Sequence, residues 1–290
     1  MLAVVLACWI GLCPEASRVA ALEARQAPQR IISLVPALTE MLFAIGAGPQ
    51  VIAVSSFDTY PPEVASRPKV GALLDPDVER VLSMKPDLVA IYGSQSDLRQ
   101  QLQRARIPIV DYRHGGLADI TLTLRMLGER TGHADAAEAV ATDVERRLEQ
   151  IRQRTAGRPK PRTLLVFGRE PGTLRNVYAS GGRGFLHDLL TLVGGVDLFA
   201  DVDRESAQAT TEIILARAPE VIVELHDGPA LDAAATANAV AVWNRLASVP
   251  AVRARRVHVL SGEGLVVPGP RVAASAERLA RAVHPEAFTP

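Results

Sequence analysis

The chain has 290 residues, 48% hydrophobic and 22% charged, with 32 basic and 32 acidic side chains that cancel to a formal net charge of zero. A balanced chain without a basic run carries no electrostatic footprint for nucleic acid and no polybasic membrane patch, and its length suffices for two cores of ordinary domain size. Aromatic residues make up only 4% of the chain, so each one placed in a loop is a candidate contact. Met1 to Leu12 are uncharged and apolar, too short for the roughly 20 residues that span a bilayer, and small residues (Ala20, Ala21, Ala24) follow. Residues 1–26 therefore read as a secretory signal. Both cysteines, Cys8 and Cys13, fall in this segment, and Val5-Leu6-Ala7-Cys8 is similar to a lipoprotein signal. The expectation is a periplasmic protein, with lipid anchoring at Cys8 or Cys13 left open. Removal of the segment takes away every thiol, and with it any disulfide or cysteine nucleophile.

From Arg30 onward the pattern is α/β. Ile31-Ile32-Ser33-Leu34-Val35 reads as a buried strand ended by Pro36, and Thr39-Glu40 opens a helix stopped by Gly46-Ala47-Gly48. Val51-Ile52-Ala53-Val54 is the next strand. Residues 78–84 form a helix, Leu88-Val89-Ala90-Ile91 a strand, residues 98–105 a helix, and Pro108-Ile109-Val110 begins another strand. Strands alternating with short helices predict a mainly parallel sheet covered on both faces. Residues 134–154 differ, having no Gly or Pro and an apolar stripe of Val140, Val144, Leu148 and Ile151 at helical spacing. After Gly157 to Pro161 the α/β pattern restarts at Thr163-Leu164-Leu165-Val166-Phe167.

An internal repeat gives this layout its meaning. Residues 78–89 match residues 211–222 without a gap, both reading x-Glu-x-apolar-Leu-x-x-x-Pro-acid-apolar-apolar. Two copies suit two related lobes. The predicted fold class is α/β, with two Rossmann-like lobes of mainly parallel sheets joined by one long α-helix. The lobes occupy residues 27–132 and 158–290, and the bridging helix occupies residues 133–157.

No catalytic constellation emerges. Gly46-Ala47-Gly48 follows a helix and lacks the third glycine of a dinucleotide loop, and no Walker sequence or G-x-S-x-G elbow is present. Gly181-Gly182-Arg183-Gly184 precedes a helix and reads as a turn, with anion binding as its alternative. The six histidines form neither H-x-H nor H-E-x-x-H, so no metal site and no enzymatic activity are expected.

Three segments carry a resemblance: residues 30–40 (RIISLVPALTE), residues 55–63 (SSFDTYPPE), and residues 78–89 with their copy around Leu215 to Glu220. They resemble the class III periplasmic binding proteins of ABC importers, within the helical-backbone metal-receptor superfamily, and in particular the cobalamin-binding branch. The resemblance spans roughly residues 29–285. It implies two lobes bridged by a helix, a shallow cleft with little hinge motion, and one glutamate on each lobe that docks on the permease. By motif position those are Glu79 and Glu212, the two residues aligned by the repeat. It implies ligand contacts at Tyr60, in the Tyr-Pro-Pro motif, and at Tyr92, after its strand. Phe57, Leu73, Arg169 and Tyr178 are further cleft candidates, with Tyr112 beside them, and Leu73 stands where the branch often carries Trp. The implied partners are a small-molecule ligand and an inner-membrane permease, with the carrier a monomer. No resident cofactor is expected, since cobalamin would be cargo. Two other cargoes stay open. Haem would draw an axial ligand from Tyr60, Tyr92, His114 or His226, and an anionic ferric siderophore would draw on Arg113, Arg169, Arg175 and Arg183.

Overall fold

A computed structural model describes residues 27–288. The signal segment read at residues 1–26, with Cys8 and Cys13, lies outside the described residues. The first sheet contains β1 (Ile31–Ser33), β2 (Val51–Val54), β3 (Leu88–Tyr92) and β4 (Ile109–Tyr112) in the order β2-β1-β3-β4. All of its pairings are parallel, with Ile31 beside both Val51 and Leu88 and Val89 beside Ile109. Ile31 and Ile32 point to opposite faces and are both fully buried, as a parallel sheet covered on both sides requires. Helix α1 (Pro36–Ala44) begins three residues before the Thr39 start read from the sequence. Proline lacks only an N–H that a first helical turn leaves unused, so Pro36 opens this helix as well as ending the approach from β1. Helices α2 (Val78–Ser83) and α3 (Ser96–Arg104) complete the lobe.

Helix α4 (Ala118–Thr131), unassigned by the sequence reading, leads directly into α5 (Ala134–Thr155). The two pack so closely that a Cβ on Gly128 would sit 2.3 Å from that of Ala137. Helix α5 has 22 residues and a length of about 33 Å. Val144, Leu148 and Ile151 of its stripe are buried, joined by Ala137 and Ala141, while Val140 is half-buried.

The second sheet runs β10 (Val257–Gly262), β9 (Val221–Asp227), β5 (Arg162–Gly168), β6 (Tyr178–Ser180), β8 (Ser206–Gln208), with β7 (Val196–Asp197) also paired to β5. Its β10-β9-β5 portion is parallel, and β6 and β8 add an antiparallel edge. Helices α6 (Phe185–Leu192), α7 (Thr211–Arg217), α8 (Ala233–Val242), the short α9 (Pro250–Arg253) and α10 (Val272–Val283) accompany it.

The internal repeat is a repeat of geometry. Lys85 and Ala218, at equivalent positions, both take left-handed backbone angles (φ 47° and 45°) before Pro86 and Pro219. Asp87 then accepts hydrogen bonds from the amides of Gln29 and Arg30 at the mouth of β1. Glu220 does the same for the amide of Arg162 at the mouth of β5. The arginines answer in kind: Arg30 donates to the carbonyls of Met84 and Lys85, and Arg162 to that of Ala218. Each copy thus ties the end of a helix to the start of a central strand.

The lobes also share a core. One apolar cluster runs from Ile31, Leu38 and Met41, through the buried face of α5, to Leu165, Val223 and Leu279. A second cluster, with Ile32 and Ile91, backs the first sheet. A third, with Leu164, Ile222 and Trp243, backs the other. Opening the lobes would expose a continuous apolar surface, which restrains hinge motion.

Candidate functional site

The C-terminal ends of the first sheet's strands gather most of the expected contact residues. Phe57 and Tyr60 lie on the loop after β2, Leu73 on the following loop, and Tyr92 at the end of β3. Hydrogen bonds bind these loops to each other. Ser56 N donates to Gly71 O at 2.8 Å, and Gln95 Nε2 donates to the carbonyls of Ala72 and Leu73 while its Oε1 accepts from Tyr92 N. Gly71 (φ +82°) makes the turn possible, since a side chain there would run into the Asp75 carbonyl. Phe57 and Leu73 remain exposed.

Beneath this face lies Asp58, 4% exposed. Its Oδ2 accepts from Ser55 N at 2.7 Å, while Oδ1 is buried without a partner. Burial pushes its carboxyl up to about 6, against the pull of hydrogen bonding and of Lys69. The Tyr92 hydroxyl is also pushed up, by burial first and by the nearby Asp58 charge second.

Tyr60 is fixed from the other lobe. Arg271, which leads into α10, lies with its guanidinium carbon 3.8 Å from the centre of the Tyr60 ring. The same guanidinium donates to both oxygens of Glu40 on α1, at 2.9 and 2.6 Å. Glu40 is 5% exposed, and its burial outweighs the arginine and leaves its carboxyl raised.

Tyr92, Tyr112 and His114 form an aromatic cluster with ring centres 5.4 to 6.0 Å apart. His114 carries it to a cavity of about 330 Å³ between the lobes, whose opposite wall includes Phe167, Arg183, Phe185 and Val266. A second cavity, of about 550 Å³, lies on the C-terminal lobe between the ends of β5 and β9 and helix α8, and Phe167 lines both.

Arg169, expected to offer its charge to a ligand, is turned into the lobe. Its side chain is 4% exposed, and Nε lies 2.8 Å from Oε1 of Glu224, itself 1% exposed. A buried guanidinium requires such a partner. Trp243 Nε1 donates to the other oxygen of Glu224 at 2.8 Å, and His226 Nε2 meets Oε1 at 2.7 Å. Tyr178 stands half-exposed at the start of β6, across from Gly168. Of the other cleft arginines, Arg175 pairs with Glu170 and Arg183 with Asp203. No group of three or more His, Cys, Asp or Glu capable of holding a metal ion occurs among the described residues.

Glu79 and Glu212 occupy the same place in their helices, the second residue after an N-cap. Asp77 caps α2 by accepting from Arg80 N, and Thr210 caps α7 by accepting from Ile213 N. Both glutamates are exposed, with Val81 and Ile214, two residues on, turned into the two lobes.

The structure thus places Tyr60, Phe57, Leu73 and Tyr92 at or after the C-terminal ends of β2 and β3, with Tyr60 lining a cavity against Phe43, Arg147 and Arg271, places Tyr178 on the other lobe, and engages Arg169 internally. Sequence reading missed Glu40, Asp58, Gln95, Glu224 and Arg271. The spacing of Glu224 and His226, two apart on a strand and so on one face, was the available signal for that pair.

Known proteins share this layout. A family model described as periplasmic binding protein matches residues 31–263. A vitamin B12-binding protein of Pectobacterium atrosepticum is 32% identical over 232 residues, covering 78% of this chain and 80% of its own. An ABC transporter substrate-binding lipoprotein of Bacillus subtilis is 29% identical, covering 91% and 82%. The crystal structure of the periplasmic vitamin B12 binding protein of Vibrio cholerae superposes with a TM-score of 0.77 at 25% identity, covering 91% of this chain and 99% of that one.

Proposed function

From the premise that the chain belongs to the periplasmic binding protein family, we propose that it captures cobalamin or a related corrinoid between its lobes and delivers it to the inner-membrane permease of an ABC importer. The observation that carries this reading is an inter-lobe cavity walled by His114 on one side and by Phe167, Phe185 and Val266 on the other, with Tyr92 and Tyr112 packed behind His114. A corrinoid is broad, flat and apolar on its faces, with amide groups at its rim, and matches side chains that pair an aromatic body with a polar tip. Of the arginines that an anionic siderophore would draw on (Arg113, Arg169, Arg175 and Arg183), Arg169 is withdrawn into a buried pair with Glu224.

The cobalamin relatives support the same cargo. The corrinoid is substrate, not a resident cofactor, and the protein is a monomeric carrier that performs no chemistry on it. Tyr60 and Tyr92 hold the ring system, Phe57 and Leu73 close over its edge, and Tyr178 meets it from the second lobe. Arg169 acts through the cluster behind that lobe's wall. Glu79 and Glu212, matched across the two copies of the repeat, dock the loaded carrier on a permease with approximate two-fold symmetry. Exposed charges of this kind set orientation and encounter rate more than affinity.

Gel filtration tests the cargo. The protein from Ala27 onward, mixed with excess cyanocobalamin, should elute with one corrinoid per chain by visible absorbance. Elution free of corrinoid but with bound hemin, run in parallel, would keep the carrier and replace the cargo.

A further inference from the structure

The cluster behind the C-terminal lobe's wall ties a part-exposed histidine to a buried carboxylate. Glu224 is satisfied at Oε2 by the Trp243 indole and has its charge matched by Arg169. His226 Nε2 makes the hydrogen bond to Oε1, and its side chain is 36% exposed. It lies at the C-terminal end of β9, across from Ser261 of β10, and lines the cavity of about 550 Å³ that shares Phe167 with the inter-lobe cavity.

A carboxylate facing a guanidinium and an indole N–H accepts on both oxygens, so the 2.7 Å contact requires His226 Nε2 to carry the proton. Nδ1 then holds the ring's lone pair, and it has no hydrogen-bond partner among the described residues. An imidazole clamped through one nitrogen by a carboxylate, with the other nitrogen open, is the arrangement that fixes the tautomer and raises the basicity of metal-ligating histidines.

We propose that His226 Nδ1 is a ligand for the cobalt of a corrinoid whose axial position carries displaceable water, with Glu224 as its positioning residue. The inference rests on the corrinoid reading above. In the step, the cobalt–oxygen bond to water breaks and a cobalt–nitrogen bond forms from the Nδ1 lone pair. Water departs neutral, the Nε2 proton stays with Glu224, and no electron changes hands. Cyanocobalamin, whose axial cyanide is bound through carbon and does not leave, would enter the same cleft without this bond. The carrier therefore discriminates among corrinoids by their axial ligand.

The test is a visible-absorbance titration of the protein from Ala27 onward with aquacobalamin and, separately, with cyanocobalamin. Aquacobalamin in free imidazole serves as the spectral reference. The expected result is an imidazole-adduct spectrum on protein binding and an affinity for aquacobalamin at least about tenfold above that for cyanocobalamin. His226→Ala should abolish the adduct spectrum and remove most of that preference, and His226→Gln provides the same comparison if the alanine variant fails to fold. Equal binding of both corrinoids by the native protein, with no spectral change, would overturn His226 as a ligand and leave the proposed function standing. Binding of neither would remove the corrinoid reading itself.

Discussion

Arg271 and Tyr60 belong to different lobes, yet the guanidinium of one lies 3.8 Å from the ring centre of the other while gripping both carboxylate oxygens of Glu40. The contact makes the orientation of Tyr60, the tyrosine proposed to hold the ligand, depend on an inter-lobe ion pair.

Loss of Arg271 should therefore act twice. Arg271→Ala leaves Glu40 buried without its partner and should lower stability by about 3 kcal/mol, measured by urea denaturation. It should also weaken corrinoid binding, because Tyr60 loses the cation that orients it. Arg271→Lys restores charge without the two-pronged bond, and should recover part of the stability but less of the affinity.

Asp58 gives the protein a pH signature. Its folded-state carboxyl is raised from 3.8 to about 6, so the folded state holds the proton more tightly than the unfolded chain. The resulting stabilisation is full below the unfolded value near 3.8 and is lost as pH rises through about 6. The change is about 3 kcal/mol at most. Asp58→Asn should remove this dependence, so the stability difference between native protein and variant should move in the variant's favour between acid and neutral pH. Denaturation curves at several pH values check it, and parallel curves for the two proteins would show that Asp58 does not titrate as described.

Trp243 is fully buried and gives its indole N–H to Glu224. Trp243→Phe keeps the ring in its apolar cluster but leaves Oε2 of Glu224 without a donor. The expected cost is about 1–3 kcal/mol, read as a lowered midpoint in thermal unfolding.

The long helix and the repeat were readable because each is local. The α5 stripe recurs every three or four residues, and the Pro86 and Pro219 copies align without a gap. The antiparallel edge was not readable, since β6 and β8 are three residues each and carry too few positions to show an alternation. Helix α4 escaped as well, because Thr121, Thr123 and Gly128 dilute its apolar pattern. The strand-end aromatics could be placed by motif, but what holds them could not. Glu40 and Arg271 lie 231 positions apart, and no spacing rule joins them. The inward turn of Arg169 was hidden for the same reason, because Glu224 comes near only once β5 and β9 pair.

Docking and binding should separate cleanly. Exchanging Glu79 and Glu212 together for lysine reverses two exposed charges, each at the start of its helix. Uptake of corrinoid by cells that depend on this carrier should cease, while calorimetric affinity stays at the native value. An affinity lost along with uptake would mean that these glutamates act on the cleft.

The central claim is that the strand-end face of the first lobe holds a corrinoid, and calorimetric titration of native protein and Tyr92→Ala with cyanocobalamin tests it most directly. The account predicts one site in the native protein and a loss of about 10- to 100-fold in the variant, as expected for an aromatic anchor. Absence of binding by the native protein, or equal affinity in the variant, would contradict it.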